Sequence, residues 1–217
     1  MEQQVTLQFI KVDAKMFIGE YGKFVYLTYF GTALSLVAIH FIIQGEMIWA
    51  MSCFIVSGLC DLFDGMVARS FNRTKAQEQF GVEIDTLCDM ISFAALPAVL
   101  LIAQGRFPLV NIFLAIIYVI TAVTRLAYFN RDTKENSAER AAYFRGVPVT
   151  YGALVFPVGY LVSEGLTSGS FQYVLLLLAP LMAFLFIWDV KIPKPNRVMY
   201  LFFLGLALVT LFGLWRL

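Results

Sequence analysis

Four aspartates interrupt an otherwise apolar stretch of this chain, and their spacing is helical. Asp61 and Asp64 are three residues apart and Asp85 and Asp89 are four apart, so each pair lies on one face of a helix. Carboxylates are costly to keep in apolar surroundings, so four at this spacing indicate a functional site. Two such faces brought together would form a cage of hard oxygen ligands for Mg²⁺, Mn²⁺ or Ca²⁺.

Two small residues and an arginine accompany the first pair. Gly65 follows Asp64 directly and Ala68 comes three residues later, which permits close approach of a ligand or of another backbone. Arg69 ends the same helix, and the fork of its guanidinium suits a phosphate. Any one of the aspartates could be an ion pair, a helix cap or a proton relay. Taken together, the cluster predicts a metal-bridged phosphate site, in which the metal can neutralise a diphosphate.

The elements that must position these residues are membrane helices. The chain has 217 residues, of which 60% are hydrophobic and 14% are charged. This composition excludes an ordinary soluble domain. Five segments of about 20 residues, the length that crosses a bilayer, contain no Asp, Glu, Lys or Arg, and the aspartates interrupt two more. The predicted spans are 24–45, 47–69, 84–104, 107–124, 146–163, 165–188 and 198–215.

The predicted fold class is therefore an all-α membrane protein, a polytopic helical bundle of about seven transmembrane helices. Residues 23–217 are expected to form a single transmembrane domain. Residues 1–22 place apolar side chains among Gln, Lys and Asp, which predicts a short amphipathic segment at the membrane interface, with a disordered tail as the alternative because the periodicity is imperfect.

The basic residues predict the orientation of this bundle. Of the 16 lysines and arginines, 14 fall in one set of connections, and only Arg106 and Arg216 fall in the other. Connections rich in Lys and Arg stay in the cytoplasm. The sequence thus predicts an integral protein of the cytoplasmic membrane, with the aspartates near its cytoplasmic face.

The aspartate region resembles a known family signature. Asp-x2-Asp-Gly-x2-Ala-Arg followed by Gly-x3-Asp-x3-Asp, over residues 61–89, is similar to the motif of the CDP-alcohol phosphatidyltransferases, and every motif residue is present. The eleven residues between Arg69 and Gly81 form a longer gap than the family usually has. Glu78 stands where a small phosphate-binding Ser or Thr is common, and Thr74 could substitute for it.

Later segments resemble the phosphatidylserine synthase branch of this family. The segment from Thr28 to Ile39 is similar to the first span of that branch, although Gly31 stands where an Asn is common there. The segments that carry the likeness to the serine branch are 89–97, 125–130, 143–150 and 191–195. The resemblance implies transfer of a phosphatidyl group from CDP-diacylglycerol to L-serine, with release of CMP.

The resemblance also implies roles for individual residues. The four aspartates would bind a divalent metal, Mg²⁺ or Mn²⁺ with Ca²⁺ also possible, and Asp89 would act in addition as the general base. The implied contacts to CDP-diacylglycerol are Thr28, Gly65, Ala68, Arg69 and Thr74. The implied partners are the two substrates, the lipid bilayer and a second copy of the chain in a homodimer, with no nucleic acid.

A serine acceptor needs a cation for its carboxylate, and the region after the fourth span supplies candidates. Arg125 is the most informative, because a desolvated arginine should pair with a bound carboxylate or with a motif aspartate. It could instead extend to the membrane interface. Ser92, one turn beyond Asp89, could face the acceptor or only pack between helices. The candidate acceptor contacts are Arg125, Ser92, Asn130 and Arg145.

Two other functions remain open at this point. The same chemistry could use another acceptor alcohol, such as glycerol 3-phosphate, an inositol phosphate or choline. Four intramembrane carboxylates could also line a divalent-cation transporter, but a transporter needs polar groups along a path through the bilayer. The lone histidine, His40, is predicted to be packed or hydrogen-bonded in the core of the first span.

Overall fold

The computed structural model describes residues 18–134, 143–193 and 197–217, with the side chains of 132–134, 143–145, 193 and 197 left out. These residues form a helical bundle with one short pair of strands. The helices are α1 (Tyr26–Gln44), α2 (Met47–Arg69), α3 (Lys75–Asp89), α4 (Leu96–Gln104), α5 (Pro108–Lys134), α6 (Gly152–Leu166), α7 (Phe171–Ile187) and α8 (Arg197–Leu214). Short 3₁₀ helices cover Lys23–Val25 and Val149–Tyr151, and a π-helix covers Met90–Ala95.

The structure confirms a polytopic all-α membrane protein. Among the described residues, five helical segments are long and apolar enough to cross a membrane, and α7 and most of α8 are apolar but shorter. Each of the seven predicted spans corresponds to one of these segments. The third span is continuous from α3 through the π-helix into α4. Many large apolar side chains are exposed, Leu109 among them, as expected for a surface that meets lipid.

A layer of aromatic side chains fills the interior of the bundle. The Tyr118 ring lies 5.8 Å from that of Phe156 and 5.3 Å from that of Phe186, measured between centroids. Phe54 stacks on Phe93 at 6.3 Å. All five side chains are almost completely buried, and their dense packing holds the helices of the bundle together.

The third span changes from α to π geometry directly after Asp89. Pro97 follows near the start of α4, and its missing N–H leaves the carbonyl of Phe93 without the usual helical donor. The hydroxyl of Tyr118 donates to that carbonyl over 3.2 Å. Segments of π-helix are frequent at functional sites. This π-helix was not predicted from the sequence.

A short antiparallel pair of strands joins two connections at one end of the bundle. β1 (Tyr143–Arg145) pairs with β2 (Lys191–Pro193), with Phe144 opposite Ile192. The strands tie the connection between α5 and α6 to the connection between α7 and α8.

The end of the bundle where α2 ends and α3 begins carries the aspartates. It is called the aspartate end below.

The prediction for His40 was wrong in its placement. The side chain is exposed near the end of α1, and its Nε2 lies 3.3 Å from Nε2 of Gln44. Because α1 packs on its neighbours through the opposite face, a polar side chain here can reach the membrane surface. Most of the predicted segment 1–22 lies outside the described residues, so the division into domains stays a prediction.

Candidate active site

The structure brings the aspartates of α2 and α3 together. Carboxylate oxygens of Asp61, Asp64 and Asp85 all lie within 4.8 Å of one another. The side chain of Asp89 contacts Asp61, and that of Asp85 contacts Asp64. The spacings of three and four residues therefore place both pairs on facing surfaces of the two helices.

Hydroxyl groups orient two of these carboxylates. Thr28 of α1 donates to Asp64 Oδ2 over 2.8 Å, and Thr150, before α6, donates to Asp61 Oδ2 over 2.8 Å. These hydrogen bonds fix the direction of the carboxylates and leave their negative charge in place. Thr150 was part of the segment that carried the family likeness, but the sequence analysis did not single it out.

The carboxylate oxygens of this cluster are suitable ligands for a divalent cation. Ionised carboxylates held this close, with Asp64 only 6% exposed, repel one another unless a cation or a proton lies between them. A cluster made only of carboxylate oxygens suits hard cations such as Mg²⁺, Mn²⁺ and Ca²⁺. The structure thus contains an aspartate cluster able to hold a divalent metal.

A cavity of about 250 Å³ opens beside the aspartates. Along α2 its lining runs from Arg69 to Ile55, a distance of about 21 Å at the usual helical rise. Its polar lining consists mainly of Asp61, Asp64, Asp85, Asp89, Arg69, Arg125 and Thr150, and its apolar lining includes Ile55, Leu59, Leu154, Tyr151, Tyr200 and Phe203. The cavity therefore combines a charged part with an apolar wall, which suits a molecule with a phosphate head and a lipid body.

The residues predicted to contact CDP-diacylglycerol, the phosphatidyl donor, fall into two groups. Gly65 and Arg69 both line the cavity, and a Cβ atom at position 65 would lie 3.4 Å from Arg69 Nη1. The absent side chain thus leaves room for the guanidinium. Thr28 acts on Asp64 from α1, and Ala68 is not part of the cavity lining.

Thr74 has a different structural role from the predicted phosphate contact. Its hydroxyl accepts a hydrogen bond from the Gln77 N–H over 3.2 Å, and Gln77 Oε1 accepts one from the Thr74 N–H over 3.0 Å. This reciprocal pair is a capping box at the start of α3. Thr74 is not part of the cavity lining, so the structure adds no support to its predicted donor contact.

Arg125 of α5 lines the same cavity as the aspartates. It is only 6% exposed, which excludes an arginine extended to the membrane surface. Its Nη2 donates to the Gly146 carbonyl over 3.3 Å, and its guanidinium carbon lies 5.6 Å from the centroid of the Phe129 ring. A buried cation thus lines the same cavity as the aspartates.

Ser92 and Asn130 lie outside the main cavity lining. Ser92 borders a small cleft behind the aspartates, of about 10 Å³, together with Asp61, Asp64 and Asp89. Asn130 accepts a hydrogen bond from Thr86 over 3.0 Å, which links α5 to α3. Arg145 lies in β1, and its side chain is outside the described part of the structure.

The apolar wall of the cavity was not anticipated from the sequence. Tyr200 and Phe203 are three residues apart near the start of α8 and share one face of that helix. Tyr200 stacks on Phe63 of α2 with ring centroids 6.5 Å apart, and Phe203 lies 5.1 Å from Tyr151. The sequence signal for this wall is a pair of aromatic residues three positions apart, about one turn inside a predicted membrane span.

Residues 25–188 match the family model described as CDP-alcohol phosphatidyltransferase. The chain belongs to this family. The match contains the aspartates, Arg69, Arg125 and Thr150, and it ends before α8. Tyr200 and Phe203 therefore line the cavity from a helix outside the matched region.

Several curated relatives carry the name CDP-diacylglycerol–serine O-phosphatidyltransferase. The chain is 36% identical to the one from Saccharomyces cerevisiae over 119 residues, which are 52% of this chain and 42% of the relative. It is 33% identical to the one from Methanocaldococcus jannaschii over 163 residues, 73% of this chain and 72% of the relative. It is 28% identical to one from Helicobacter pylori over 176 residues, 75% of this chain and 70% of the relative. The chain thus spans less than half the length of the yeast relative and most of the other two.

Proposed function

We propose that this protein transfers the phosphatidyl group of CDP-diacylglycerol to L-serine, giving phosphatidylserine and CMP. The observation that carries the proposal is one cavity lined both by the clustered aspartates and by the buried Arg125. The names of the relatives support serine as the acceptor.

The aspartates would hold the metal on which the reaction depends. Asp61, Asp64 and Asp85 offer the clustered oxygens, and Asp89 adjoins them through Asp61. A bound Mg²⁺ or Mn²⁺ would neutralise charge on the diphosphate of the donor. Thr28 and Thr150 keep two of the carboxylates aimed into this site.

Asp89 is proposed as the general base. A serine hydroxyl is a poor nucleophile at neutral pH and needs a base within hydrogen-bond reach. Asp89 lines the cavity and can take the hydroxyl proton as the serine oxygen bonds to the phosphorus of the phosphatidyl group. The bond from that phosphorus to the oxygen shared with the second phosphate then breaks, and CMP leaves with the electron pair.

The donor fits the two parts of the cavity. Arg69, with the room that Gly65 leaves beside it, is placed to bind the diphosphate. The apolar wall of Ile55, Tyr200 and Phe203 is placed to contact the glycerol and acyl part. Contacts of Ala68 and Thr74 with CDP-diacylglycerol stay predictions.

Arg125 is proposed to pair with the carboxylate of serine. Its guanidinium offers a fork of donors that matches a carboxylate, and its burial strengthens such a pair. Ser92, Asn130 and Arg145 stay predicted acceptor contacts. A phosphorylated acceptor would call for more converging cations than Arg125 alone, since Arg69 is assigned to the diphosphate of CDP-diacylglycerol.

We further propose that the aspartate end faces the cytoplasm in the cytoplasmic membrane, as the distribution of Lys and Arg predicts. Water-soluble serine and CMP would then exchange on the cytoplasmic side, while the lipid enters from the bilayer. A homodimer, the usual state of the family, stays a prediction.

A competition between acceptors tests the assignment of serine. Purified protein with CDP-diacylglycerol and Mn²⁺ is offered serine, glycerol 3-phosphate, an inositol phosphate and choline together, and the lipid products are identified by mass spectrometry. Phosphatidylserine is the expected product. Reaction of another alcohol with no phosphatidylserine would end the serine assignment and keep the transferase chemistry. Absence of metal-dependent CMP release in detergent would favour the cation transporter.

A further inference from the structure

We propose that Gly146 is a positioning residue, which holds Arg125 in place against the substrate cavity. The proposal rests on the proposed function, because it takes Arg125 as the contact for the acceptor carboxylate. Gly146 does not line the cavity itself and acts only through Arg125.

Backbone hydrogen bonds fix Gly146 between two connections. Its N–H donates to the Val190 carbonyl over 2.9 Å, and its own carbonyl accepts from Arg125 Nη2 over 3.3 Å. The next residue, Val147, donates from its N–H to the Leu185 carbonyl over 3.2 Å. The connection between α7 and α8 thereby determines where the carbonyl that receives Arg125 lies.

Only glycine suits this position. Its φ of +74° lies in the left-handed region, which residues with a Cβ rarely adopt. A Cβ atom here would lie 2.9 Å from the Phe186 carbonyl oxygen and 3.3 Å from Arg125 Nε. The added atom would have to push aside the backbone of α7 or the guanidinium of Arg125.

Fixing the guanidinium in advance has a functional consequence. Arginine has many rotamers, and a free one would lose that freedom each time it bound a carboxylate. Holding it at a backbone carbonyl places the charge before the acceptor arrives, as preorganised sites require. The strand pair, which the sequence did not reveal, therefore has a direct link to the acceptor side of the cavity.

Gly146→Ala, compared with Gly169→Ala, separates this role from backbone strain. Gly169 has a nearly identical φ of +78°, but a Cβ there would meet nothing within 4 Å. We expect Gly146→Ala to raise the KM for serine by about tenfold, the usual scale for losing a hydrogen bond to a charged group. The KM for CDP-diacylglycerol should stay close to that of the wild type. Gly169→Ala should change neither KM.

A double-mutant cycle with Arg125→Ala tests whether Gly146 acts through that residue. If it does, Gly146→Ala adds no further increase to the serine KM once Arg125 is gone. Increases that multiply would overturn the proposal. If Gly146→Ala does not fold, Gly146→Asn takes its place, because Asn tolerates positive φ and still carries the Cβ.

The outcomes distinguish this inference from the proposed function. A wild-type protein that makes no phosphatidylserine would overturn the proposed function. A wild-type protein that makes it, together with an unchanged serine KM in Gly146→Ala or Gly146→Asn, would overturn the role of Gly146 alone.

Discussion

The two halves of α2 differ sharply in what surrounds them. Toward its start, Met51 and Phe54 are almost completely buried among apolar neighbours. Toward its end, Asp61, Asp64 and Arg69 line an open cavity. The first half of α2 thus contributes dense packing, while the second half carries charged residues beside a cavity and packs less tightly. Such a loss of stability is common at functional sites.

Helix α8 shows the same division. Ala207 and Leu214 are completely buried, while Tyr200 and Phe203 on the same face line the cavity. At the far end of α8, the ring of Trp215 packs edge-on against that of Trp49 with centroids 4.6 Å apart. The cavity described above thus lies at the aspartate end, while the far part of α8 packs against its neighbours.

The largest effect is expected at Asp89. Asp89→Asn keeps the shape of the side chain but removes the base, so turnover should fall by a factor of about 10² to 10⁴. The measurement is CMP release by purified protein, with thermal unfolding in detergent as the check on folding. Turnover close to wild type in a folded Asp89→Asn protein would exclude Asp89 as the base.

A smaller effect is expected from removing a metal ligand. Asp61→Ala and Asp64→Ala should shift the Mn²⁺ concentration for half-maximal activity upward by about tenfold or more. Titrating Mn²⁺ into metal-free protein measures the shift. Glu83→Ala, an exposed acidic residue of α3, is the matched control and should leave the titration unchanged. Identical titrations for all three variants would contradict the proposed ligands.

A still smaller effect is expected at the apolar wall. Phe203→Ala should raise the KM for long-chain CDP-diacylglycerol by about fivefold, equivalent to about 1 kcal/mol of lost contact. A short-chain donor should show less change. The neighbouring Phe202 is 64% exposed and is not part of the cavity lining, so Phe202→Ala is the control. Equal effects of the two variants would show that α8 does not contact the lipid donor.

The smallest effect on turnover is expected in the densely packed half of α2. Phe54→Ala should lower the free energy of unfolding by about 3–5 kcal/mol, because it leaves a cavity in the core. Turnover per folded molecule should stay near wild type. Phe113→Ala, on the exposed face of α5, is the control for stability. A loss of turnover in folded Phe54→Ala protein would show that the two halves are not independent.

Much of the fold and of the aspartate cluster could be predicted from the sequence. The spans are visible as charge-free segments of membrane length, and the aspartates reveal their helix faces by their spacing. The π-helix was not readable, because it depends on Pro97 together with Tyr118, which is distant in the chain and supplies the missing donor. The strand pair was not readable either, since each strand has three residues and no alternating pattern.

The arrangement around the acceptor was only partly readable. Arg125 was conspicuous as a charge in an apolar span, but its link to Gly146 depends on contacts between separate connections. The capping box of Thr74 and Gln77 has the recognisable pattern Thr-x-x-Gln, but Thr74 was considered only as a possible phosphate contact, which stays a prediction.

The most direct test of the central claim is the stoichiometry of the reaction. Purified protein is given CDP-diacylglycerol, Mn²⁺ and labelled serine, and released CMP and labelled lipid are measured in the same sample. We expect one molecule of phosphatidylserine for each CMP, with both products lost on adding a chelator and both formed about 10² to 10⁴ times more slowly by Asp89→Asn. CMP release without labelled lipid, or labelled lipid formed equally well by Asp89→Asn, would contradict it.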